Sequence, residues 1–257
     1  MKHGKQTLKK AFVFAAWLIP IGAIGGYFTG KYAVASYSLE VQQVILAQVG
    51  STQMVAVAAM AQSMLYAFVA GVIGYLASAK IGLMRPLRIR KQELLPAFGV
   101  TLGCGIVMAL DYWTFGTAIS EVRALYADGI LYQSVDNCLA SVFYGGIVEE
   151  ILFRLCVMSV LALVIWKVFF RARKEAPISV IVAANILSAL LFAVGHLPTA
   201  MNMYGALTPI ILFRELLLNG AFGMAFGWLY RTYGIQYAML GHAGTHIVSK
   251  LIWLALL

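Results

Sequence analysis

The sequence predicts an all-α fold, a polytopic bundle of about seven transmembrane helices. Hydrophobic residues make up 62% of the 257 residues and charged residues only 11%. Soluble domains hold about a quarter charged residues, so this composition is typical of a membrane protein. The mean hydropathy is +0.86. The apolar residues also form runs of about 20 residues, the length that an α-helix needs to cross a bilayer.

Seven apolar runs are predicted as spans. The first, Ala11–Phe28, follows a lysine-rich segment and has no clear small-x-small cleavage site, so we interpret it as a retained helix. A short interfacial helix is expected within residues 34–49, where four aliphatic side chains share one face. The other predicted spans are, in order, Met54–Ala77, Leu94–Leu110, Cys138–Phe170, Ile178–Leu197, Pro209–Tyr230 and Ile235–Leu257.

The lysines and arginines between the spans predict the orientation. Basic residues are concentrated in the loops after the second, fourth and sixth spans, and the alternate loops offer only Lys31 and Arg123. By the positive-inside rule, the N-terminus is expected in the cytoplasm and the C-terminus outside, with the cell membrane as the location. No linker or internal repeat divides the chain, so we predict a single integral membrane domain, 1–257.

The charge and cysteine content exclude several classes of function. The net charge of +9 comes from basic residues beside apolar runs, which membrane topology explains, so no nucleic-acid partner is expected. The partners expected around the chain are membrane lipids. The three cysteines have unrelated spacings and no CxxC pair, which argues against a disulfide framework and against a thiolate metal site.

Three ionisable residues interrupt the fourth predicted span: Glu149, Glu150 and Arg154. Each ionisable group at the centre of a spanning helix costs about 2.5–3.5 kcal/mol on insertion scales, so such groups usually mark a functional site. Glu150 and Arg154 are four residues apart and share a helix face, where they can pair. The helical period turns Glu149 about 100° away from Glu150. We therefore predict one supported carboxylate and one free carboxylate, as a catalytic base and its support require.

Three of the four histidines lie in the last predicted helices. His196 comes near the end of the fifth span, and Pro198 is expected to help stop that helix. His242 and His246 are four residues apart in the seventh span, on a single face. A lone membrane histidine is more often a hydrogen-bonded packing residue than a ligand. Three of them with a glutamate pair on separate spans favour a functional site.

This set of groups limits the chemistry. His242 and His246 have the spacing of two metal ligands in HExxH enzymes, but Ala243 and Gly244 stand where that motif has its glutamate. The acid must then come from another helix, and Glu149 is the candidate. A carboxylate that takes a proton from water, with imidazoles that orient the water or stabilise an oxyanion, suffices for amide hydrolysis. Serine, cysteine and aspartate protease chemistries lack their characteristic groups in the spans.

These residues resemble the three-motif signature EExxxR, FxxxH and HxxxN of the CPBP family, the CAAX-protease and bacteriocin-processing (Abi) intramembrane proteases. The resemblance spans roughly Ala140 to Lys250. It implies that 136–257, the last four spans, form the catalytic core and that 1–135 supplies accessory helices. In this chain the motifs read Glu149-Glu150-xxx-Arg154, Phe192-xxx-His196 and His242-xxx-His246.

The resemblance assigns a role to each motif residue. Glu149 is the water-activating base, and Glu150 with Arg154 is its supporting pair. His196 and His242 hold the water or a metal. His246 stands where the family has an asparagine that is thought to stabilise the oxyanion, and a neutral histidine can still donate one hydrogen bond there. A metal site of His196, His242 and His246, for example for zinc, is compatible with the sequence but not required.

Two further residues of the last spans are candidates for substrate binding. Phe192 belongs to the second motif, and Asn219 lies in the sixth span, where the family often has a polar or aromatic residue. Arg214 and Glu215 open the same span. For these two charges, snorkelling at the membrane interface is favoured over substrate contact.

The predicted function is hydrolysis of a peptide bond in a membrane-associated peptide, with a prenylated or otherwise hydrophobic substrate implied by the resemblance alone. A non-catalytic scaffold of the same family, in bacteriocin self-immunity or envelope regulation, is the alternative. A pure scaffold has no reason to carry charge in the membrane. A proton-coupled transporter also uses buried Glu, Arg and His, but it usually shows matching repeats with broken helices, which this sequence lacks.

Overall fold

The computed structural model describes residues 2–257, and the side chains from residue 4 onward. Within that range the regular structure is ten helices, so the predicted all-α class is confirmed. Their bounds are α1 Lys2–Ser36, α2 Leu39–Val49, α3 Thr52–Lys80, α4 Lys91–Ala109, α5 Phe115–Ala118, α6 Ser120–Ala127, α7 Val135–Phe169, α8 Ile178–Tyr204, α9 Pro209–Tyr233 and α10 Ile235–Leu256.

Six of the described helices are long and apolar enough to cross a membrane: α1 (over Gly4–Ser36), α3, α4, α7, α8 and α9. This number is close to the predicted seven, and the chain is an integral, multi-pass membrane protein. The predicted seventh span is α10, a helix of 22 residues. Its inward-facing polar residues, among them His242 and Lys250, lower its mean hydropathy. The predicted interfacial helix is α2.

Side-chain caps fix where several helices begin. The Ser51 and Ser134 hydroxyls accept hydrogen bonds from backbone amides in the first turns of α3 and α7. Thr208 does the same for α9, which has Pro209 in its first turn. These caps satisfy amides that have no carbonyl partner inside the helix, which explains why the chain becomes helical at these residues.

The expectation that Pro198 helps stop α8 is wrong. The helix continues through Pro198 to Tyr204 and ends at Gly205, whose φ of 74° is left-handed. Spanning helices tolerate an internal proline because neighbouring helices and small backbone adjustments satisfy the freed carbonyl. A glycine readily adopts the left-handed conformation that closes a helix.

The middle of α7, Ala140–Met158, is wound as a π-helix, with backbone hydrogen bonds to the fifth residue along the chain. The sequence predicts the α-helical period there, so this winding corrects that expectation. Such windings occur frequently at functional sites. The wide turn still brings Glu150 and Arg154 together, as their four-residue spacing predicts.

Helix packing around α7 places it at the centre of the bundle. α1 and α3 pack against each other and against α7, and α10 packs against α4, α7 and α9. Glycines allow the closest approaches: a Cβ added at Gly74 of α3 would lie 2.8 Å from the Leu155 carbonyl oxygen of α7. On the opposite side, a Cβ at Gly146 of α7 would lie 2.5 Å from the Ala243 Cβ of α10. The division into accessory helices (1–135) and core (136–257) stays a prediction.

Large apolar side chains cover much of the outer surface of the bundle. Trp17, Leu95 and Phe169 are each about three-quarters exposed to the surroundings. In water, so much exposed apolar surface would favour aggregation, whereas in a bilayer it contacts lipid tails. The buried core instead lies where α3, α7, α8, α9 and α10 meet.

Candidate active site

A cavity of about 680 Å³ opens inside the bundle. Its wall is built from α1, α7, α8, α9 and α10, with a contribution from the segment between α4 and α7. Glu149 of α7, His196 of α8, and His242 and His246 of α10 all line it. The fold therefore brings these residues, predicted from three separate motifs, to one cavity.

Glu150 is buried beneath this cavity and is 0% exposed. Its Oε1 accepts a hydrogen bond from His242 Nδ1 at 2.8 Å. The same oxygen lies 3.1 Å from Arg154 Nη1. Because a carboxylate can only accept, His242 carries its proton on Nδ1 and, when neutral, presents an unprotonated Nε2.

Arg154 is held mainly by charge and by aromatic faces. Its guanidinium carbon lies 4.3 Å from the centre of the Phe192 ring and 5.6 Å from that of Phe226. Neither Nη atom completes a hydrogen bond, and neither does Oε2 of Glu150. Cation–π attraction strengthens in a desolvated site, so the rings help to compensate the buried charge.

Glu149 faces different surroundings from its neighbour Glu150. It is half-buried on the cavity wall. Within the described residues it forms no ion pair, whereas Glu150 is paired with both Arg154 and His242. The adjacent carboxylates thus differ as the sequence predicts: one is engaged in the core and the other faces the cavity.

His196 is oriented by the backbone of its own helix. Its Nδ1 lies 2.8 Å from the Phe192 carbonyl oxygen, which accepts the hydrogen bond. The imidazole packs edge-on against the Phe192 ring, with centroids 4.6 Å apart. Phe192, buried at the cavity wall, also contacts Arg154 and therefore joins the His196 side of the site to the Glu150–Arg154 pair.

The two imidazoles of α10 lie next to each other. The His242 and His246 rings stack at 5.1 Å with an angle of 27°, and His242 also stacks on Phe226 at 4.5 Å. Both Nε2 atoms point towards Gly145, because a Cβ there would lie 3.3 Å from that of His246 and 3.7 Å from that of His242. Gly145 precedes Glu149 by four residues on the same helix, so these nitrogens face α7 about one helical turn before Glu149.

The sequence allows, but does not require, a metal site of His196, His242 and His246. In the part of the chain that the structure describes, no three His, Cys, Asp or Glu side chains are placed to hold a metal ion.

Asn219 lies on the wall of the same cavity, on α9. Its Nδ2 donates to the backbone oxygen of Glu215 and to Glu215 Oε2, both at 3.0 Å. Because both bonds use the amide nitrogen, Oδ1 keeps its capacity to accept a hydrogen bond.

The expectation that Arg214 and Glu215 snorkel at the interface is wrong. Arg214 is largely buried: its Nε and Nη2 donate to the two oxygens of Asp111, at 2.8 and 2.6 Å. Its Nη1 donates to Glu215 Oε1 and to the Tyr204 hydroxyl. The reason is that Asp111, which follows the end of α4, approaches the beginning of α9 in the folded bundle. The sequence separation of 103 residues hides this pair from local pattern reading.

Tyr126 of α6 completes this polar cluster. Its hydroxyl donates to Asp111 Oδ2 at 2.8 Å. Burial raises the pKa of Tyr126 well above its usual range, and the nearby Asp111 charge raises it further. The phenol therefore remains a neutral donor.

Lys250 is a second cavity residue that sequence reasoning missed. It lies one turn beyond His246 on α10 and is only 6% exposed. Its Nζ donates to Ser141 Oγ of α7 at 3.1 Å. The available signal was helical periodicity, since His242, His246 and Lys250 recur every four residues on one face.

Comparison with known families identifies the region that holds this site. Residues 133–248 match the family model described as type II CAAX prenyl endopeptidase, Rce1-like. The predicted resemblance to the CAAX-protease family is thereby confirmed, and the matched segment contains all three motifs. In general terms it supports a membrane-embedded endopeptidase. No curated protein and no solved structure matches the chain.

Proposed function

We propose, on the premise that residues 133–248 are an Rce1-like region of the CAAX-protease family, that this protein cleaves a membrane-associated peptide by a glutamate-activated water. The substrate is a prenylated or otherwise hydrophobic peptide. The single observation that carries the mechanism is the difference between the two glutamates. Glu149 faces the cavity and, among the described residues, forms no ion pair, whereas Glu150 is paired with His242 and Arg154.

Glu149 acts as the general base in this mechanism. It accepts a proton from a water molecule while the water oxygen bonds to the carbonyl carbon of the scissile peptide. The carbonyl π bond breaks, and the oxygen takes its electron pair to form an oxyanion. The oxyanion electron pair then re-forms the carbonyl, the C–N bond breaks, and the leaving nitrogen takes the proton from Glu149. Proton transfer by a positioned side chain contributes about 10²–10⁴-fold to rate.

Glu150 positions His242 for this reaction. By accepting the Nδ1 proton, it fixes the tautomer and the ring orientation, so the Nε2 lone pair is directed to the cavity. That nitrogen accepts a hydrogen bond from the attacking water. Arg154 pairs with Glu150 and holds it in place, and it needs no contact with the substrate.

His246 and His196 are the candidates for stabilising the oxyanion. A neutral imidazole donates through one nitrogen, and a fixed donor in a site that excludes water is worth far more than one in solution. His196 has its Nδ1 engaged by the Phe192 carbonyl. We therefore assign the oxyanion donor to His246 and the second contact with the water to His196. No step requires a metal.

The cavity fits an apolar peptide. Its volume of about 680 Å³ lies within the ~300–1,000 Å³ of typical small-ligand sites. Phe192 supplies an apolar surface beside the imidazoles. The free Oδ1 of Asn219 can accept a backbone N–H of the substrate, which would orient the chain without reading its side chains.

Replacement of Glu149 by glutamine tests the proposal directly. The amide keeps the shape of the carboxylate but cannot take the proton from water, so we expect kcat on a farnesylated CAAX peptide to fall by about 10²–10⁴-fold. Purified protein in detergent or nanodiscs is assayed by mass spectrometry of the released peptide. Glu121→Gln, an exposed carboxylate in α6, is the matched control and should retain full activity.

Unchanged hydrolysis by Glu149→Gln would refute the catalytic assignment. A biological phenotype that persists in this variant would favour the non-catalytic scaffold instead. Loss of a coupled ion flux, with no peptide product in the parent protein, would favour the transporter.

A further inference from the structure

Lys250 occupies a defined position in the catalytic cavity. Counting along α10, it lies eight residues beyond His242, about 12 Å along the helix axis at 1.5 Å per residue. It lines the same cavity as Glu149 and is almost completely buried. A lysine held there presents its ammonium to anything that enters the cavity.

Among the described residues, the Lys250 ammonium has one hydrogen-bond partner, which leaves some of its donors unused. Its Nζ donates to Ser141 Oγ, and the Ser141 hydroxyl in turn donates to the side chain or backbone oxygen of Asn137, at 2.9 and 2.7 Å. Ser141 therefore holds the amine in place but does not neutralise it. Since an ammonium carries three N–H donors, two remain for a ligand.

The second basic residue on the cavity wall provides an internal comparison. Arg214 is paired with the carboxylates of Asp111 and Glu215. Among the described residues, no carboxylate lies within 4 Å of Lys250 Nζ, although other buried or half-buried cations, such as Arg154, have one. A buried charge without a counter-ion is costly, so its retention on a cavity wall indicates an anionic ligand.

We propose that Lys250, positioned by Ser141, binds the C-terminal carboxylate of the peptide substrate. This proposal rests on the proposed function. The separation of His242 and Lys250 along α10, about 12 Å, indicates which peptide bond is cut. An extended chain covers about 3.3–3.6 Å per residue, so three or four residues fit in this distance. A peptide anchored at Lys250 by its carboxylate thus places a bond close to its own C-terminus beside Glu149 and His242.

Two peptides that differ in one group provide the test. Both peptides carry a fluorophore and end with a farnesylated CAAX sequence. One has a free C-terminal carboxylate, and the other has a C-terminal carboxamide. We expect the parent protein to cleave the carboxylate peptide with a kcat/KM at least about tenfold higher, as one charge-assisted hydrogen bond provides. In Lys250→Met, we expect kcat/KM to fall for the carboxylate peptide only, so that the preference between the two peptides is lost. Lys250→Arg should retain a preference, and Lys167→Met, an exposed lysine of α7, is the matched control.

Binding provides a readout that does not depend on turnover. Fluorescence anisotropy on the Glu149→Gln protein should show the same carboxylate preference, and the Glu149→Gln/Lys250→Met double variant should lack it. Equal rates and equal binding of the two peptides in the parent protein would overturn the proposal, even if Lys250→Met failed to fold. A uniform loss with both peptides in Lys250→Met would show that the lysine only supports the structure.

The result also separates this proposal from the proposed function. Glu149-dependent cleavage without any carboxylate preference removes the role of Lys250 and leaves the endopeptidase. A carboxylate preference in binding, without any cleavage by the parent protein, removes the endopeptidase and leaves an anion site. Loss of the preference on addition of phosphatidylglycerol, but not of phosphatidylcholine, would assign Lys250 to a lipid phosphate instead and would overturn the peptide assignment.

Discussion

Glu150 combines two tasks that usually fall to separate residues. It neutralises Arg154 and it orients His242, both through Oε1. Because all three side chains are buried, their electrostatic interactions are little screened by solvent. Loss of any one of them leaves a charge or a ring nitrogen without its partner. The stability of the bundle and the geometry of the site are therefore linked at this residue.

Arg154→Met tests that link. Removing the arginine leaves the buried Glu150 carboxylate with only His242, and breaking a buried pair from one side costs about 3–5 kcal/mol. We expect the midpoint of unfolding in detergent to fall accordingly, together with activity. Thermal unfolding of the purified variant and of the parent protein measures the difference.

A double variant distinguishes charge from packing in the same experiment. Glu150→Gln combined with Arg154→Met removes both charges, so much of the stability should return, whereas the activity should not, because a neutral amide holds His242 less firmly. If the double variant is no more stable than Arg154→Met, the loss came from packing against Phe192 and the electrostatic explanation fails.

The sequence predicts the residues of the site whose partners are local or whose motif is compact. The Glu150–Arg154 pair follows from a four-residue spacing, and His242 and His246 follow from a shared helix face. The contact of Asp111 with Arg214 does not follow from any such pattern, because the local sequence does not indicate which distant helix ends meet in space. Lys250 shares the face of the two histidines, but its partner Ser141 lies 109 residues away.

At the scale of helices, α7 and α10 approach each other through two adjacent glycines of α7. Gly146 meets Ala243 of α10, and Gly145 meets the Nε2 atoms of His242 and His246. A side chain at either position would separate the two helices or turn the rings. The absence of Cβ atoms on this face of α7 is thus part of how the site is formed.

Gly145→Ala measures how closely the imidazoles depend on this contact. The new methyl group would lie 3.3 Å from His246 Nε2, so the ring must move by a few tenths of an ångström. Since a misplacement of about 1 Å can cost 10²-fold in rate, we expect about a tenfold loss of kcat with little change in unfolding temperature.

Gly103→Ala is the matched control for this substitution. It makes the same chemical change in a spanning helix, α4, where no atom lies within 4 Å of the added Cβ. Activity should be unchanged and stability slightly higher, because alanine favours a helix over glycine. An equal loss of kcat in both variants would mean that the effect arises from the helix backbone and not from the imidazoles.

The helices themselves are predicted closely by the apolar runs. The predicted Pro209–Tyr230 becomes Pro209–Tyr233, and the predicted Ile178–Leu197 is extended to Tyr204. Hydropathy indicates the length of a span, but it does not report backbone hydrogen bonding. For that reason neither the π-winding of Ala140–Met158 nor the passage of α8 through Pro198 could be read from it.

At the scale of the whole molecule, contacts between the segments that connect the helices show which of them lie at the same end of the bundle. At one end, Asp111 after α4 meets Arg214 at the beginning of α9. The end of α1 meets the beginning of α7 there through the Lys31–Asp136 ion pair. At the other end, the Tyr237 hydroxyl near the beginning of α10 accepts a hydrogen bond from the Arg90 amide before α4. The cavity is lined by residues of the first end, including Asp111.

The distribution of basic residues then predicts which side of the membrane the cavity faces. Arg85, Arg88 and Arg90 lie before α4, and Arg171, Arg173 and Lys174 lie after α7, both at the end away from Asp111. Loops rich in lysine and arginine remain in the cytoplasm, so we expect the cavity to open towards the outer side. Of the two proposed substrate types, this orientation favours a hydrophobic peptide exposed on the outer leaflet over a prenylated cytoplasmic tail.

Cysteine labelling in intact cells tests this orientation. In a background where Cys104, Cys138 and Cys156 are replaced by serine, a membrane-impermeant maleimide should label Asp128→Cys, an exposed position between α6 and α7, without permeabilisation. Lys174→Cys, exposed between α7 and α8, should be labelled only after the membrane is opened, since the positive-inside rule keeps that loop in the cytoplasm. The reverse pattern would place the cavity on the cytoplasmic side, where prenylated tails are made, and labelling of both from one side would mean that α7 does not cross the membrane.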